Sequence, residues 1–203
     1  MWLILFAASL ALSQQASIDC RDTGAKTATT ETQALRGPDG MTAVLKVSTA
    51  DDHSKNSHLC NADYQLVLLP AGGSADAPRV VDIQASDSEW GRSISLRLDG
   101  FSKDGKHVFG ILSEGGKYPL TVLFDCDITA GAAQLVDLRE RFANILDAHC
   151  GTTFDVVGTT ETGAIVVETE SAKPCGPTGR WRLNPTGGRA QRLTPGATFQ
   201  RLN

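Results

Sequence analysis

The sequence has few aromatic residues, no long run of charge of one sign, and no apolar segment of membrane-spanning length. Aromatic residues make up only 6% of the 203 residues, while Gly and Thr are plentiful. This profile favours short strands and tight turns over long helices. The 19 basic and 23 acidic residues are nearly balanced, which argues against nucleic acid or an anionic membrane as the main partner.

Recognisable catalytic signatures are also missing. No Gly-x-Ser-x-Gly nucleophile elbow occurs. His107 and His149 each have the chemistry of a general base, but the sequence places no partner beside either, which favours a structural role. Asp125 and Asp127 are two residues apart on a predicted strand, so they share one solvent face without a water-excluding cleft. We therefore expect a non-catalytic binding or interaction module that needs no cofactor.

The first residues predict export. Residues 3–12 form an apolar run of roughly ten residues, which is the length of a signal-peptide core. Small residues follow, so we expect residues 1–13 to be a signal peptide cleaved after Ser13, with Ala16 as the second choice, although no Lys or Arg precedes the run. The Ile-Asp pair before Cys20 does not fit a lipoprotein signal. The expected product is secreted or periplasmic, soluble, and not membrane-spanning.

The rest of the chain is predicted to form an arm followed by one domain. Residues 14–40 are rich in Thr, Asp and Gly without apolar periodicity, which predicts an irregular N-terminal arm. Residues 41–203 predict a single β-rich domain, with consecutive antiparallel meanders forming a sandwich or barrel, or a small partial propeller. One short helix is expected near residues 139–148, where apolar residues recur at helical spacing: Leu138, Phe142, Ile145 and Leu146.

The segment from 94 to 137 contains four predicted strands joined by short polar turns. Three stretches carry its pattern: Leu98-Asp-Gly-Phe-Ser-Lys-Asp-Gly-Lys-His-Val-Phe109, Leu123-Phe-Asp-Cys-Asp127 and Gln134-Leu-Val-Asp137. They resemble one blade of the TolB-type, WD-like β-propeller repeat, in which a Ser-x-Asp-Gly-Lys turn separates the first two strands. The resemblance implies a rigid platform that binds other proteins or glycans in the periplasm or outside the cell.

Five cysteines in an exported chain predict disulfide bonds with one thiol left over. Cys126 shares one face of its predicted strand with apolar residues, so we expect it to be a buried core residue. The other four cysteines are expected in loops, where three pairings are possible. The pairing that keeps both bridges local is favoured: Cys20–Cys60 and Cys150–Cys175.

Two polar loops hold candidate functional residues. The first gathers carboxylates and imidazoles, which zinc and similar ions prefer: Asp51, Asp52, His53 and His58. Their spacing matches no metal motif, so a solvated loop is favoured over the alternative function, a secreted metal-dependent hydrolase. In the second loop, Trp90 and Arg92 are residue types common at interface centres. They are the predicted contacts for an unidentified protein or glycan partner in the cell envelope, although Trp90 also suits the edge of the core.

Overall fold

A computed structural model describes the chain in nine stretches: residues 15–19, 27–32, 34–52, 59–71, 77–83, 93–114, 120–146, 151–171 and 175–203. These stretches contain strands in three antiparallel sheets and one four-residue helix. The predicted fold class is confirmed, because the described chain is mainly β and built from consecutive antiparallel meanders with a single short helix. No sheet closes into a barrel within the described stretches.

The first sheet is built from five strands: β2 Thr27–Glu31, β3 Leu35–Arg36, β4 Thr42–Asp52, β5 Leu59–Leu69 and β6 Arg79–Ile83. Their order is β2-β4-β5-β6, and β3 also pairs with β4. Leu45 lies opposite Leu66, and both are fully buried. Their neighbours Lys46 and Gln65 are partly exposed on the other face. This alternation is typical of an antiparallel sheet with one face on a core.

The second sheet contains β1 Gln15–Asp19, β7 Ser93–Phe101, β8 His107–Glu114, β9 Leu120–Asp127 and β10 Ala132–Asp137. Its strand order is β1-β7-β8-β9-β10, so the four-stranded meander expected over residues 94–137 is present. Leu98 and Phe124 on one face pack against the first sheet. Phe109 and Leu123 on the other face belong to a separate core. The second sheet is therefore buried on both faces.

The third sheet contains β11 Thr152–Thr159, β12 Ile165–Ser171, β13 Gly179–Leu183, β14 Gln191–Arg192 and β15 Gln200–Arg201. Its order is β14-β13-β12-β11-β15. Its inner face packs on the second sheet, where the rings of Phe154 and Trp181 each contact Phe142 edge-on, with centroids 5.3 and 5.5 Å apart. The three sheets thus form a stack with two cores, which suits either a sandwich or a partial propeller.

The N-terminal arm is not irregular, because three strands occupy much of residues 14–40. β1 pairs with β7, and β2 and β3 pair with β4. Thr32, just after β2, is buried, and its Oγ1 accepts the N–H of Leu45 at 3.1 Å. Backbone pairing holds these strands, β1 to a strand far along the chain and β2 and β3 to β4, which follows them. These strands therefore form without apolar periodicity in the arm, and predicting an irregular structure for them from its lack was wrong.

The single helix, α1, spans only Leu138–Arg141, which is shorter than the predicted 139–148. The side chain of Asp137 caps it by accepting backbone N–H groups of the first turn. The carbonyl of Arg141 accepts the N–H of Ala190 at 2.9 Å, so it is not used to extend the helix. Residues 142–145 form turns, and residues 147–148 lie outside the described stretches.

Candidate functional site

The candidate residues predicted from the sequence are only partly described. Asp51 and Asp52 belong to the end of β4, where their backbones pair with β5, rather than to a loop as expected. The other candidates lie outside the described residues: His53, His58, Trp90, Arg92 and the candidate general base His149. Among the residues that are described, no group of three or more His, Cys, Asp or Glu side chains is placed to hold a metal ion.

His107 has a partner that the sequence did not identify. Its Nδ1 lies 2.7 Å from Oδ1 of Asp125 on the neighbouring strand. Burial raises the pKa of Asp125, while the hydrogen bond to His107 opposes that shift. Asp127 is exposed and accepts the N–H groups of Thr129 and Ala130 at 2.8 and 2.9 Å. The two carboxylates therefore have separate local roles, one pairing with an imidazole and one capping a turn.

Cys126 is a free, fully buried thiol, as predicted. Burial raises the pKa of Cys126 to about 11, and the charges of Asp125 and Asp127 act in the same direction. Cys175 is disulfide-bonded, but its partner is not described, so both predicted pairings stay predictions. Cys60 lies within β5 rather than in a loop, which corrects that part of the expectation.

One opening in the described structure is a cleft of about 400 Å³ at one end of the third sheet. The turn at residues 160–164 forms one wall, the turn at residues 184–188 forms the other, and β13 and β14 contribute side chains between them. Polar and small residues line it, including Thr162, Gly163, Arg182, Asn184, Arg189 and Gln191. None of the described lining residues is Asp or Glu. We call this opening the arginine cleft.

Both arginines that line the cleft have neutral partners. Nε of Arg182 donates to Oε1 of Gln191 at 2.8 Å. When the Asn144 amide is assigned with its oxygen toward Arg189, which satisfies both groups, Nε of Arg189 donates to that oxygen at 3.0 Å. Among the ion pairs of the described residues, none joins a carboxylate to Arg182 or Arg189. Neither guanidinium therefore forms an ion pair with a described carboxylate, although Glu161 lies in the turn that forms the opposite wall.

Arg141 fixes the wall formed by residues 184–188. Its Nη1 donates to the Gly188 carbonyl at 2.7 Å, and its Nη2 donates to the Pro185 carbonyl at 3.4 Å. Gln134 also donates to the Pro185 carbonyl, at 2.8 Å. Among the described atoms, Nε of Arg141 is buried without a hydrogen-bond partner. Arg141 thus holds the turn in place and adds a third positive charge behind it.

The opposite wall is held by its own hydrogen bonds. Oγ1 of Thr160 accepts the N–H of Ala164 at 3.1 Å, and the Thr160 carbonyl accepts the N–H of Gly163 at 3.0 Å. Gly163 has a φ of 79°, a left-handed conformation that glycine adopts without the steric cost of a side chain. Both walls of the cleft are therefore fixed before any ligand arrives.

The arginine cleft was missed because the nearly balanced charge of the chain conceals an uneven distribution. Residues 171–203 contain six basic residues and no Asp or Glu, so all 23 acidic residues precede them. This asymmetry is visible in the sequence and would have marked the C-terminal segment as positively charged. The pairing of β13 with β14 and the turn at residues 184–188 then bring Arg182 and Arg189 to one opening.

No family model, no curated protein and no solved structure matches the chain. In the described part of the chain, none of the helical structure has the length and apolar character needed to cross a bilayer. Within the described surface, the arginine cleft has the chemistry of an anion site. Guanidinium groups match the geometry of carboxylates and other oxyanions, and the surrounding hydroxyl and amide groups add hydrogen-bonding capacity.

Proposed function

We propose that the protein is an exported binding module that holds an oxyanion, such as a carboxylate, in the arginine cleft. The observation that carries this proposal is the pair Arg182 and Arg189, which line one opening with neutral partners and no described acidic neighbour in its lining. A bound anion would supply the opposite charge that neither guanidinium receives from a described side chain.

The expected affinity follows from the small number of contacts. A hydrogen bond to a charged group contributes about 1.5 to 3 kcal/mol. We expect two such bonds, together with contacts to Asn184 or Thr162. After the entropy lost on binding is subtracted, these contacts give a dissociation constant on the order of 1 mM for a single small anion. Because both walls are fixed in advance, little ordering is needed when the anion enters.

Export is supported by three features of the chain. Residues 3–12 have the length and apolar character of a signal-peptide core. β1 starts at Gln15, so cleavage after Ser13 would leave this strand of the second sheet intact. Cys175 is disulfide-bonded, as is typical of oxidising compartments. The three stacked meanders also suit the partial propeller implied by the TolB-type resemblance, a scaffold that presents rigid turns to a ligand.

The proposal is tested by NMR titration of the purified, isotope-labelled protein with sodium galacturonate, using neutral galactose as the matched control compound. We expect galacturonate to shift the backbone N–H signals of Gly163, Gly187 and Gly188, which line the cleft. Galactose should leave these signals unchanged at the same concentration. If galacturonate and inorganic sulfate both leave the cleft signals unmoved at 20-fold above the expected dissociation constant, or about 20 mM, the proposal is wrong.

A further inference from the structure

We infer that the arginine cleft is the charged end of a longer groove that binds a linear acidic polysaccharide, with several sugar units in contact along the outer face of the third sheet. This inference rests on the proposed function. It extends that function from one anionic group to an extended chain, and it specifies that uncharged sugar hydroxyls lie in the groove between the charged groups.

The groove consists of three openings that share residues. The arginine cleft shares Thr162 and Arg182 with a second cleft of about 480 Å³. The second cleft in turn shares Leu193, Thr194 and Ala197 with a third of about 690 Å³. The three openings thus follow one another along the same side of the sheet. A single small anion would fill only one of them, whereas a linear chain would fill all three.

The C-terminal segment shapes the middle of this groove. Residues 193–199 contribute to both the second and the third cleft, and Phe199 is next to β11, where Gly158 leaves room for it. Leu193 is fixed by its N–H, which donates to the Arg180 carbonyl at 2.9 Å. Thr194 is exposed at the boundary between the second and third clefts, so its side chain is well placed to contact a ligand that spans both.

The charges along the groove are uneven, and this favours a sparsely charged chain. Arg182 has no described carboxylate partner. Arg192 lines both the second and the third cleft, and its Nη2 donates to the Thr178 carbonyl at 3.4 Å. In the third cleft, Arg180 is paired with Glu168 at 3.3 Å. Glu161 also lines the second cleft. A polymer with a charge on every unit would place negative charge beside these two carboxylates, which is unfavourable. A uronate-containing chain would place an acid group in the arginine cleft and present uncharged hydroxyls to the glutamates.

The side chains between the charges also suit sugars. Four threonines line the second cleft: Thr160, Thr162, Thr194 and Thr198. Their hydroxyls can hydrogen-bond sugar hydroxyls, and carboxylates can accept hydrogen bonds from sugar hydroxyls. Phe199 is the one aromatic residue among the described residues that line the three clefts, and the guanidinium of Arg180 lies over one face of its ring at 5.4 Å. The described lining therefore has no row of aromatic rings on which successive bases could stack. These features favour an acidic polysaccharide over single-stranded nucleic acid.

The test measures dissociation constants of the purified protein for galacturonate and for oligogalacturonates of two, four and eight units in which alternate carboxyl groups are methyl-esterified, so that the charge along the chain is sparse. We expect affinity to increase at least tenfold from the monomer to the longest oligomer, because a longer chain occupies more of the groove. Thr194→Trp should block the passage between the clefts. It should reduce binding of the eight-unit oligomer at least fivefold and leave monomer binding unchanged, whereas Thr129→Trp, at an exposed turn away from the groove, should change neither.

Each outcome has a definite meaning. If the monomer binds and longer oligomers bind no more tightly, the extended groove is wrong while the proposed function stands. If neither the monomer nor any oligomer binds while inorganic sulfate does, the extended groove is wrong and the proposed function stands; if sulfate also fails to bind, both are wrong. If a single-stranded oligonucleotide or polyglutamate of equal length binds as tightly as the eight-unit oligogalacturonate, the assignment to a polysaccharide is overturned. Equal loss of eight-unit binding in Thr194→Trp and Thr129→Trp would also overturn the groove.

Discussion

Asp99 in β7 accepts a hydrogen bond from the backbone N–H of Val156 in β11, with 2.8 Å between Oδ2 and N. The bond joins the second sheet to the third. Nε of Arg97 lies 2.5 Å from the other carboxylate oxygen. Asp99 sits at a register shift between Leu98 and Gly100, and such a bulge redirects a side chain out of the regular pleat. Burial raises the pKa of Asp99, while the charge of Arg97 opposes that shift.

We expect Asp99→Ala to be strongly destabilising. The substitution removes the acceptor for Val156 and leaves the largely buried Arg97 without this carboxylate, which together should cost about 3 kcal/mol of unfolding free energy. Urea denaturation followed by circular dichroism measures this change. Asp63→Ala, at an exposed position of β5, is the matched control and should stay within about 0.5 kcal/mol of the wild type. Equal stability of the two variants would show that Asp99 does not join the sheets.

Gly158 is predicted to be essential for the packing of the C-terminal residues against β11. A Cβ at this position would lie 2.6 Å from Cδ2 of Phe199 and would overlap the Gln200 carbonyl. Gly158→Ala should therefore destabilise the protein by about 1 to 3 kcal/mol and speed amide hydrogen exchange of residues 199–203. Gly151→Ala is the control, since no described atom lies within 4 Å of its Cβ position. Unchanged exchange in Gly158→Ala would contradict this packing.

The thiol of Cys126 should react slowly in the folded protein. It is fully buried, and its raised pKa, to about 11, keeps it protonated at neutral pH. Iodoacetamide at pH 8 should label it only after denaturant is added, as followed by mass spectrometry. Non-reducing peptide mapping of the same sample should leave Cys126 unpaired and recover Cys20–Cys60 and Cys150–Cys175. Rapid labelling without denaturant, or a bridge to Cys126, would contradict the buried free thiol.

The strands with strict alternation were predictable because each shows its buried face locally. Residues 94–98 and 120–128 alternate or cluster apolar side chains, and they form β7 and β9 nearly as expected. β2, with the sequence Thr-Ala-Thr-Thr-Glu, shows no such pattern, because its place is set by backbone pairing with β4. The predicted length of the helix was too great for a similar reason. Its last carbonyl bonds to Ala190, a contact that local spacing cannot show.

The candidate site was harder to predict than the sheets. Arg182 and Arg189 are not conspicuous as a pair, and only the turn at residues 184–188, anchored by Arg141, brings them to the same opening. The charge asymmetry of residues 171–203 marks the segment but does not identify which arginines keep neutral partners. That distinction depends on pairing across the sheet, since Arg180 lies opposite Glu168 and Arg182 lies opposite Gln191.

The most direct test of the binding site is the dissociation constant for galacturonate in the wild type, Arg182→Gln and Arg36→Gln, measured by NMR titration at constant ionic strength. Arg36 is an exposed arginine of the first sheet and serves as the charge-matched control. Loss of one charge-assisted hydrogen bond should weaken binding about tenfold to 100-fold in Arg182→Gln, with Arg36→Gln unchanged. Equal affinities in all three proteins would contradict the assignment of the arginine cleft as the binding site.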